Sequence, residues 1–268
     1  MNGFSAEWLT LREPADLAAR VDDVTQAVIA SLAHRESPLV IDIGCGTGSN
    51  VRYLARCLPA STRWRLLDHD RALLDAARAS LGMSIDTRIA DLRVLDPGIF
   101  TGADLVTASA LLDLVSATWL RDFVGECRRA GAAVLVALNY DGRITCTPAD
   151  DDDELVRELV NRHQRTDKGF GPALGPEAGD AVVALLRDAG YQVVSARSDW
   201  RLEPDQAELQ RQLVSGWASA AIERSPAETV RIRSWESRRL QTIDVGISHI
   251  VVGHVDVGGE MSGTRDRG

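Results

Sequence analysis

Acidic residues and glycines follow successive predicted strands, in positions where they could hold a nucleotide-like ligand. Asp42 precedes the run Gly44–Gly48, and Asp68 and Asp91 follow the next two apolar runs. Glycines suit a tight turn against a ligand, because a Cβ atom would disfavour positive φ and keep the ligand from the backbone. Carboxylates suit ribose, since its two neighbouring hydroxyls are donors that need acceptors. This pattern predicts a nucleotide-like cofactor at one edge of a sheet.

The elements around these residues alternate along the chain. Leu39–Ile43 is a β-branched apolar run typical of a buried strand, and residues 50–58 have the apolar spacing of a helix. Further strands are predicted at 64–67, 84–90, 103–109, 132–139, 191–197 and 247–255, with helical segments among them. Strands that alternate with helices favour an α/β fold with a mostly parallel sheet.

The glycine spacing separates two cofactor classes. A dinucleotide motif G-x-G-x-x-G would place its third glycine at position 49, which is Ser49. The observed D-x-G-x-G-x-G pattern resembles motif I of the class I S-adenosylmethionine-dependent methyltransferases. The resemblance covers about residues 42–255 and is strongest up to Asn139. It implies a Rossmann-like three-layer sandwich with a seven-stranded, mostly parallel sheet whose last strand is antiparallel, and with helical insertions that cap the substrate.

The resemblance also implies cofactor contacts. Asp68 would accept hydrogen bonds from the ribose hydroxyls, while the neighbouring Asp70 fits better as the N-cap of a helix at 71–81. Asp91 would accept the adenine amino hydrogen, and the next backbone N–H would meet the ring. The predicted cofactor-binding residues are Arg12, Asp42, Gly44, Cys45, Gly46, Asn50, Asp68, His69, Asp91, Leu92 and Ser109. The cofactor would be S-adenosyl-L-methionine, released as S-adenosyl-L-homocysteine.

Arg12 precedes the glycine motif and lies in the predicted N-terminal helical region. An N-terminal helix often covers the cofactor in such proteins, and Arg12 could then meet the methionine carboxylate. The alternative is an ion pair with Glu13 or Asp16, its close neighbours in the sequence.

The implied reaction is a direct displacement, in which an O, N, S or C atom of the acceptor attacks the sulfonium methyl group in line. Orientation of the acceptor and exclusion of water would supply most of the acceleration. A hydroxyl or carbon acceptor would need a general base, whereas a free amine or carboxylate would only need positioning. The candidates for the base are, in order, His163, Asp113, Asp141 and Tyr140. Substrate contacts are expected from Tyr140, Asp141, Trp200 and Trp217.

The segment before His163 leaves two alternatives open. His163 extends the apolar face of a helix predicted at about 154–165, so it is either a core residue or a residue of the substrate cleft. The four acids 150–153 ahead of this helix predict capping and charge complementarity at its N-terminus rather than a metal site. No histidine pair has metal-ligand spacing, and the sequence predicts no metal.

Four regions are predicted. Residues 1–36 form a helical lead-in with Pro14 in a first helical turn, and residues 37–140 form the cofactor-binding core. Residues 141–257 complete the core and carry substrate-side insertions at about 141–176 and 199–245. The polar, glycine-rich stretch 258–268 is predicted to be a flexible tail.

Composition limits the partners. A net charge of −9 argues against a nucleic-acid surface, although arginines cluster at positions 231, 233, 238 and 239. A small-molecule acceptor, such as a metabolite or natural product, fits better. Four cysteines without a C-x-x-C pair predict reduced thiols and a cytoplasmic location, and no apolar run reaches the ~20 residues of a membrane span. The tryptophans and arginines of the second insertion could serve a homodimer interface or a lid equally well.

Two other functions remain open. One is a protein that binds S-adenosylmethionine without methylating a separate substrate, as a regulator or a cyclase of the cofactor. The other is a nicotinamide or flavin oxidoreductase. Ser49 and the Asp91-Leu92 element count against the oxidoreductase, and the insertions rich in Trp and Arg favour a cavity for a second substrate.

Overall fold

The computed structural model describes residues 5–261, in which strands and helices alternate as the hydrophobic pattern predicts. The strands are β1 Leu39–Ile43, β2 Arg63–Asp68, β3 Ile85–Ile89, β4 Leu105–Ser109, β5 Ala133–Thr147, β6 Tyr191–Arg197, β7 Trp200–Leu202 and β8 His249–Met261. The helices are α1 Ala6–Ala19, α2 Asp22–Ser31, α3 Ser49–Leu54, α4 Arg71–Leu81, α5 Ala117–Ala130, α6 Asp153–Gln164, α7 Ala178–Asp188, α8 Ala207–Arg224 and α9 Thr229–Asp244.

The sheet has the order β3-β2-β1-β4-β5-β8-β6. Strands β1 to β5 are parallel, and β8 runs antiparallel to both of its neighbours. The predicted fold, mostly parallel with an antiparallel last strand, is confirmed. The short β7 pairs with β8 outside this order and makes an eighth strand that the sequence pattern did not indicate.

Helices cover both faces of the sheet, because each presents one apolar side. Leucine, valine and aromatic residues of α5 and α7 pack on one face, and those of α2, α3 and α4 pack on the other. Trp119 and Phe123 of α5 stack with their ring centroids 5.5 Å apart. Asp70 caps α4 as predicted, since its carboxylate accepts a hydrogen bond from the backbone N–H of Ala72 at 2.8 Å.

A third core lies beyond the carboxyl edge of the parallel strands. β5 continues past its predicted end at Asn139 to Thr147, where it pairs with His249 at the start of β8. Helices α1, α6, α8 and α9 pack on this extension around side chains such as Leu159 and Trp235. We call the extension 140–147, β7, residues 249–254 and the helices α6, α8 and α9 the cap. The insertion predicted at 141–176 therefore begins as a strand, and the one predicted at 199–245 includes β7.

Two predicted boundaries are wrong. Pro14 lies inside α1 rather than in a first turn, because that helix already begins at Ala6, with Ser5 as its N-cap. The tail does not begin at Gly258, because β8 runs to Met261 and pairs with β6. Glycine is needed at 258, since an added Cβ would lie 2.5 Å from Cγ2 of Val28 in α2. Residues 1–4 of the lead-in and 262–268 of the tail lie outside the described residues.

Three of the four acids 150–153, namely Asp150, Asp152 and Asp153, bind arginines of α9 instead of capping α6. Asp152, the N-cap residue of α6, makes no side-chain capping hydrogen bond. Arg238 contacts Asp150 at 2.6 Å and Asp152 at 2.7 Å, and Arg239 donates from Nε to Asp153 at 2.9 Å. The acids thus neutralise much of the arginine cluster that the sequence shows on α9, and they join α6 to α9.

No helix among residues 5–261 combines the length and apolar character that crossing a membrane requires.

Replacing Arg239 by methionine should lower the free energy of unfolding by about 2–3 kcal/mol, because its side chain is 2% exposed and its loss leaves Asp153 without a counterion, with hydrogen bonds only from Trp235 and the N–H of Asp150. Arg238→Met should cost less than about 1 kcal/mol, because that side chain is 46% exposed and screened by water. Urea denaturation of the two variants measures the difference, and equal losses would contradict this reading of the cap.

Candidate active site

The glycine-rich turn Gly44–Gly48 connects β1 to α3. Gly44, Gly46 and Gly48 have φ of +61°, +53° and +84°, which is the left-handed region that side chains with a Cβ rarely adopt. The backbone N–H groups of Gly44 and Cys45 donate to the carbonyl of Leu67 in β2, at 2.8 and 3.3 Å. The neighbouring strand therefore holds the turn at the carboxyl edge of the sheet.

Asp68 ends β2 and connects it to the same turn. Its Oδ2 accepts a hydrogen bond from the backbone N–H of Gly46 at 2.9 Å, and its Oδ1 accepts one from the N–H of Asp70 at 3.0 Å. Nδ1 of His69 lies 3.2 Å from Oδ1. The structure thus brings together three predicted cofactor residues, and Oδ2 of Asp68 keeps a further lone pair for a donor.

A buried polar network lies beneath the turn. The Asn50 amide nitrogen donates to Oδ1 of Asp42 at 2.8 Å and to the Thr107 hydroxyl at 3.1 Å. Oδ2 of Asp42 is buried and has no hydrogen-bond partner within residues 5–261. Burial raises the pKa of Asp42 to about 7, and the hydrogen bond from Asn50 opposes that shift.

Arg20, which the sequence analysis missed, completes this network from the end of α1. Its Nη1 donates to the Asn50 amide oxygen at 2.6 Å, and its Nε lies 3.3 Å from Oδ2 of Asp256. The guanidinium carbon is 4.2 Å from the centroid of the Tyr53 ring. No local pattern marks this arginine, because its partners come from α3 and from the last strand.

Asp91 and Leu92 follow β3 at the same edge of the sheet. The Asp91 carboxylate is more than half exposed and accepts hydrogen bonds from Arg93 at 2.9 Å, which lower its pKa to about 2. Leu92 is buried, and its carbonyl accepts a hydrogen bond from Nε1 of Trp119 at 2.5 Å. The structure therefore fixes the backbone of Leu92 and directs Asp91 towards Arg93.

Helix α1 covers the glycine turn. A Cβ atom built on Gly46 would lie 3.0 Å from Cδ1 of Leu9. Arg12 forms the alternative ion pair, because its Nε lies 3.0 Å from Oδ2 of Asp16. Its guanidinium also lies 4.9 Å from the centroid of the Trp200 ring, and Nε1 of Trp200 donates to Asp16 at 3.1 Å. In this arrangement Arg12 attaches α1 to the cap.

Asp113 faces the cap from the other side of the site. It lies in the short turn Leu112–Leu114 that follows β4 and Ser109, and its buried Oδ1 has no hydrogen-bond partner in the described part of the chain. Burial raises the pKa of Asp113 to about 6, against the opposing influence of its own backbone N–H and of the cations Arg12 and Lys168. A carboxylate in this state is ready to accept a hydrogen bond or a proton.

His163 lies near the end of α6 and contacts α8, and both of its ring nitrogens have side-chain partners. Nε2 is 3.1 Å from Oε2 of Glu223, and Nδ1 is 3.2 Å from Nζ of Lys168. Its side chain is one quarter exposed, so it is not a fully buried core residue. Burial and the charge of Lys168 lower its pKa.

The predicted substrate residues also have protein partners. The Tyr140 hydroxyl donates to Asn161 at 2.7 Å, and Asp141 accepts a hydrogen bond from Arg143 at 2.8 Å. Trp200 is buried against α1, and Trp217 packs at the margin of the cap core. These four residues belong to the structure of the cap, and no contact in the described chain assigns them a substrate.

His254 is a second residue that the sequence analysis missed. It is buried on β8, with its ring centroid 6.3 Å from that of Tyr140 and 5.2 Å from that of Trp200. Burial lowers its pKa to about 3, so the ring is neutral at neutral pH. Among residues 5–261, no three His, Cys, Asp or Glu side chains form a group that could hold a metal ion.

One part of the chain resembles a known protein family. Residues 40–132 match the family model described as a methyltransferase domain. No curated protein sequence matches the chain significantly. The matched residues include the glycine motif, Asp68 and Asp91, so the prediction of a methyltransferase domain is confirmed for this part of the chain.

Several solved structures have a similar fold. A putative methyltransferase from Bacillus halodurans superposes with a TM-score of 0.53 and 13% identity, covering 90% of this chain and 100% of that chain. The cyclopropane synthase MmaA2 from Mycobacterium tuberculosis superposes with a TM-score of 0.50 and 12% identity, covering 96% of this chain and 95% of that chain. The YcgJ protein from Bacillus subtilis superposes with a TM-score of 0.50 and 13% identity, covering 91% of this chain and 100% of that chain. At these identities the comparison shows the fold alone.

Asp42→Asn should change how stability depends on pH. The pKa of Asp42 is about 7 in the folded protein against 3.8 in the unfolded chain, so the folded state keeps a proton that the unfolded state loses between those values. The free energy of unfolding should therefore fall as pH rises through this window, by up to about 1.4 kcal/mol per pH unit. Asn at this position removes that contribution.

Chemical denaturation of the wild type and the variant from about pH 4 to about pH 8 measures the change. The exposed Asp75→Asn on α4 serves as the control. Parallel pH profiles for the wild type and Asp42→Asn would contradict the raised pKa of Asp42.

Proposed function

We propose that this chain, whose residues 40–132 form a methyltransferase domain, transfers the methyl group of S-adenosyl-L-methionine to a small-molecule acceptor by direct in-line displacement. The observation that carries the proposal is the hydrogen bond between the N–H of Gly46 and the carboxylate of Asp68. This hydrogen bond supports the proposal because it holds the carboxylate of Asp68 beside the glycine turn, where the carboxylate would accept the ribose hydroxyls of the cofactor.

The cofactor would lie along the carboxyl edge of the sheet. Asp68 would accept the ribose hydroxyls, and the fixed backbone of Leu92 would bind the adenine ring, with Asp91 near its amino group. Oδ2 of Asp42 is an acceptor without a partner among the described residues, which fits a site that receives a donor. Bound at this edge, S-adenosyl-L-methionine would supply the electrophilic methyl group.

Asp113 is the best candidate for contact with the acceptor. It follows β4 at the same edge, and its free, buried oxygen needs a donor such as the N–H or O–H of a substrate. Above its pKa of about 6 the carboxylate could also take the proton that a hydroxyl acceptor loses. This reverses the order expected from the sequence, because both ring nitrogens of His163 already have partners.

A small acceptor is also favoured by the surroundings. The net charge of −9 and the pairing of α9 arginines with Asp150, Asp152 and Asp153 leave little attraction for a polyanion. All four cysteines are free thiols, which fits a cytoplasmic location.

Calorimetric titration with S-adenosyl-L-methionine, S-adenosyl-L-homocysteine and NAD tests the cofactor directly. We expect binding of the first two and none of NAD. Preference for NAD would overturn the proposal in favour of an oxidoreductase. Formation of S-adenosylhomocysteine with a panel of small amines, phenols, alcohols and carboxylic acids then separates an enzyme from a regulator that only binds the cofactor.

Asp68→Ala should weaken the binding of S-adenosyl-L-homocysteine by about 1–3 kcal/mol, because the ribose hydroxyls lose their acceptor. Asp75→Ala, an exposed acid on the next helix, is the matched control and should bind as the wild type does. Calorimetry measures both affinities, and an unchanged affinity for Asp68→Ala would remove Asp68 from the site.

Asp113→Asn should lower turnover about 100-fold or more while the affinity for S-adenosyl-L-homocysteine is kept, if the acceptor loses a proton to this carboxylate. His163→Gln should lower turnover less than about tenfold, as expected of a residue that supports the cap without taking the proton. Turnover is measured as S-adenosylhomocysteine formed with an acceptor found in the panel. Full activity of Asp113→Asn would contradict the assignment.

A further inference from the structure

Arg20 reaches from the junction of α1 and α2 into the network under the glycine turn. Nη1 donates to the Asn50 amide oxygen at 2.6 Å, and Nε lies 3.3 Å from Oδ2 of Asp256. The guanidinium lies over the Tyr53 ring at 4.2 Å, and the side chain is 2% exposed. Nε and Nη2 have no hydrogen-bond partner among the described residues, so the hydrogen bond to Asn50, the ring of Tyr53 and the charge of Asp256 together hold the arginine in place.

This contact determines which way the Asn50 amide faces. A guanidinium has only donors, so the atom it contacts at Asn50 must be the amide oxygen. The amide nitrogen then faces Oδ1 of Asp42 at 2.8 Å and the hydroxyl of Thr107 at 3.1 Å. One carboxylate oxygen of Asp42 is thus occupied, and the other stays buried without a partner in the described residues.

We propose that Arg20 is a positioning residue of the cofactor site, which fixes Asn50 so that Asp42 keeps one carboxylate oxygen free for a hydrogen-bond donor of the bound cofactor. The inference rests on the proposed function, because the donor belongs to S-adenosyl-L-methionine. Arg20 acts through Asn50 and through its charge, and it makes no contact with the ligand itself.

The charge of Arg20 also bears on whether Asp42 is ionised. The titratable and polar groups that face Asp42 are Arg20, Asp68, Cys45, Asn50 and Thr107. Burial is the largest influence and raises the pKa of Asp42, Asp68 adds to it, and Asn50 and Arg20 oppose it. Loss of Arg20 therefore raises that pKa further, and a protonated Asp42 is a poorer acceptor.

The test is the pH dependence of S-adenosyl-L-homocysteine binding, measured by calorimetry from about pH 6 to about pH 9. Affinity of the wild type should fall as pH drops through the pKa of Asp42. Arg20→Met should bind about fivefold more weakly at pH 7, which corresponds to a pKa of Asp42 raised by about one unit from about 7, and the midpoint of its pH profile should move upward.

Two further variants control for folding and for charge. Arg20→Met alone leaves Asp256 buried and unpaired, so the double variant Arg20→Met/Asp256→Asn is measured beside it, because it removes both charges. Arg238→Met removes an exposed arginine of the cap and should leave affinity and midpoint unchanged. Circular dichroism and thermal melting verify that each variant is folded.

The outcomes separate this inference from the function on which it rests. If the wild type binds no S-adenosyl-L-homocysteine at any pH, the proposed function fails. If the wild type binds and a folded Arg20 variant keeps its affinity and midpoint, Arg20 is not a positioning residue. Uniform weakening without a shifted midpoint, or failure of both variants to fold, would show a purely structural arginine and also overturn the proposal.

Discussion

The buried pair of Arg20 and Asp256 is the contact on which the architecture depends. Asp256 lies on the last strand and is fully buried, and its Oδ1 accepts a hydrogen bond from the backbone N–H of Leu138 at 2.8 Å. Leu138 has φ of +55°, a strained value for a leucine, at a shift in the β5–β8 register. The carboxylate of Asp256 therefore stabilises the bend through which β5 leaves the parallel sheet and enters the cap.

The same residue ties the N-terminal helices to that bend. Oδ2 of Asp256 accepts the backbone N–H of Val21 at the start of α2, at 3.2 Å, beside the guanidinium of Arg20. A charged pair in the interior is costly unless its remaining donors and acceptors are satisfied. Here backbone groups of two elements satisfy the carboxylate, whereas Nε and Nη2 of Arg20 have no hydrogen-bond partner among the described residues. Asp256 thus connects the bend in β5, the cap and the N-terminal helices.

Local signals predicted the part of the fold that local interactions decide. The β1–turn–α3 unit follows from an apolar run and three glycines, and Asp70 begins α4 with the predicted N-cap geometry. The ionised partners in the cap were not predictable in the same way. Asp153 and Arg239 are 86 residues apart, and nothing near either one in the sequence indicates the other.

The candidate site likewise contains residues that local sequence patterns predicted and residues that they did not. Glycine spacing and strand-end acids placed Gly46 beside Asp68, because parallel strands bring their carboxyl ends to one edge. The roles of the cap residues were harder to predict, since His163 and Tyr140 form hydrogen bonds with other side chains. Arg20 and His254 escaped notice because burial of a polar residue is set by tertiary packing, which a single sequence does not display.

Because Leu9 lies against Gly46, the packing of α1 on the glycine turn and the binding of a ligand at that turn would be coupled. A ligand that fits beneath Leu9 gains the apolar surface of the helix as part of its own binding free energy, whereas a ligand that displaces Leu9 loses the free energy of docking. By linkage, whatever tightens α1 on the cap changes the affinity at the turn by the same factor as the ligand changes the docking of α1. The ion pair of Arg12 with Asp16, and the hydrogen bond of Trp200 to Asp16, hold α1 on the cap and so affect this coupling.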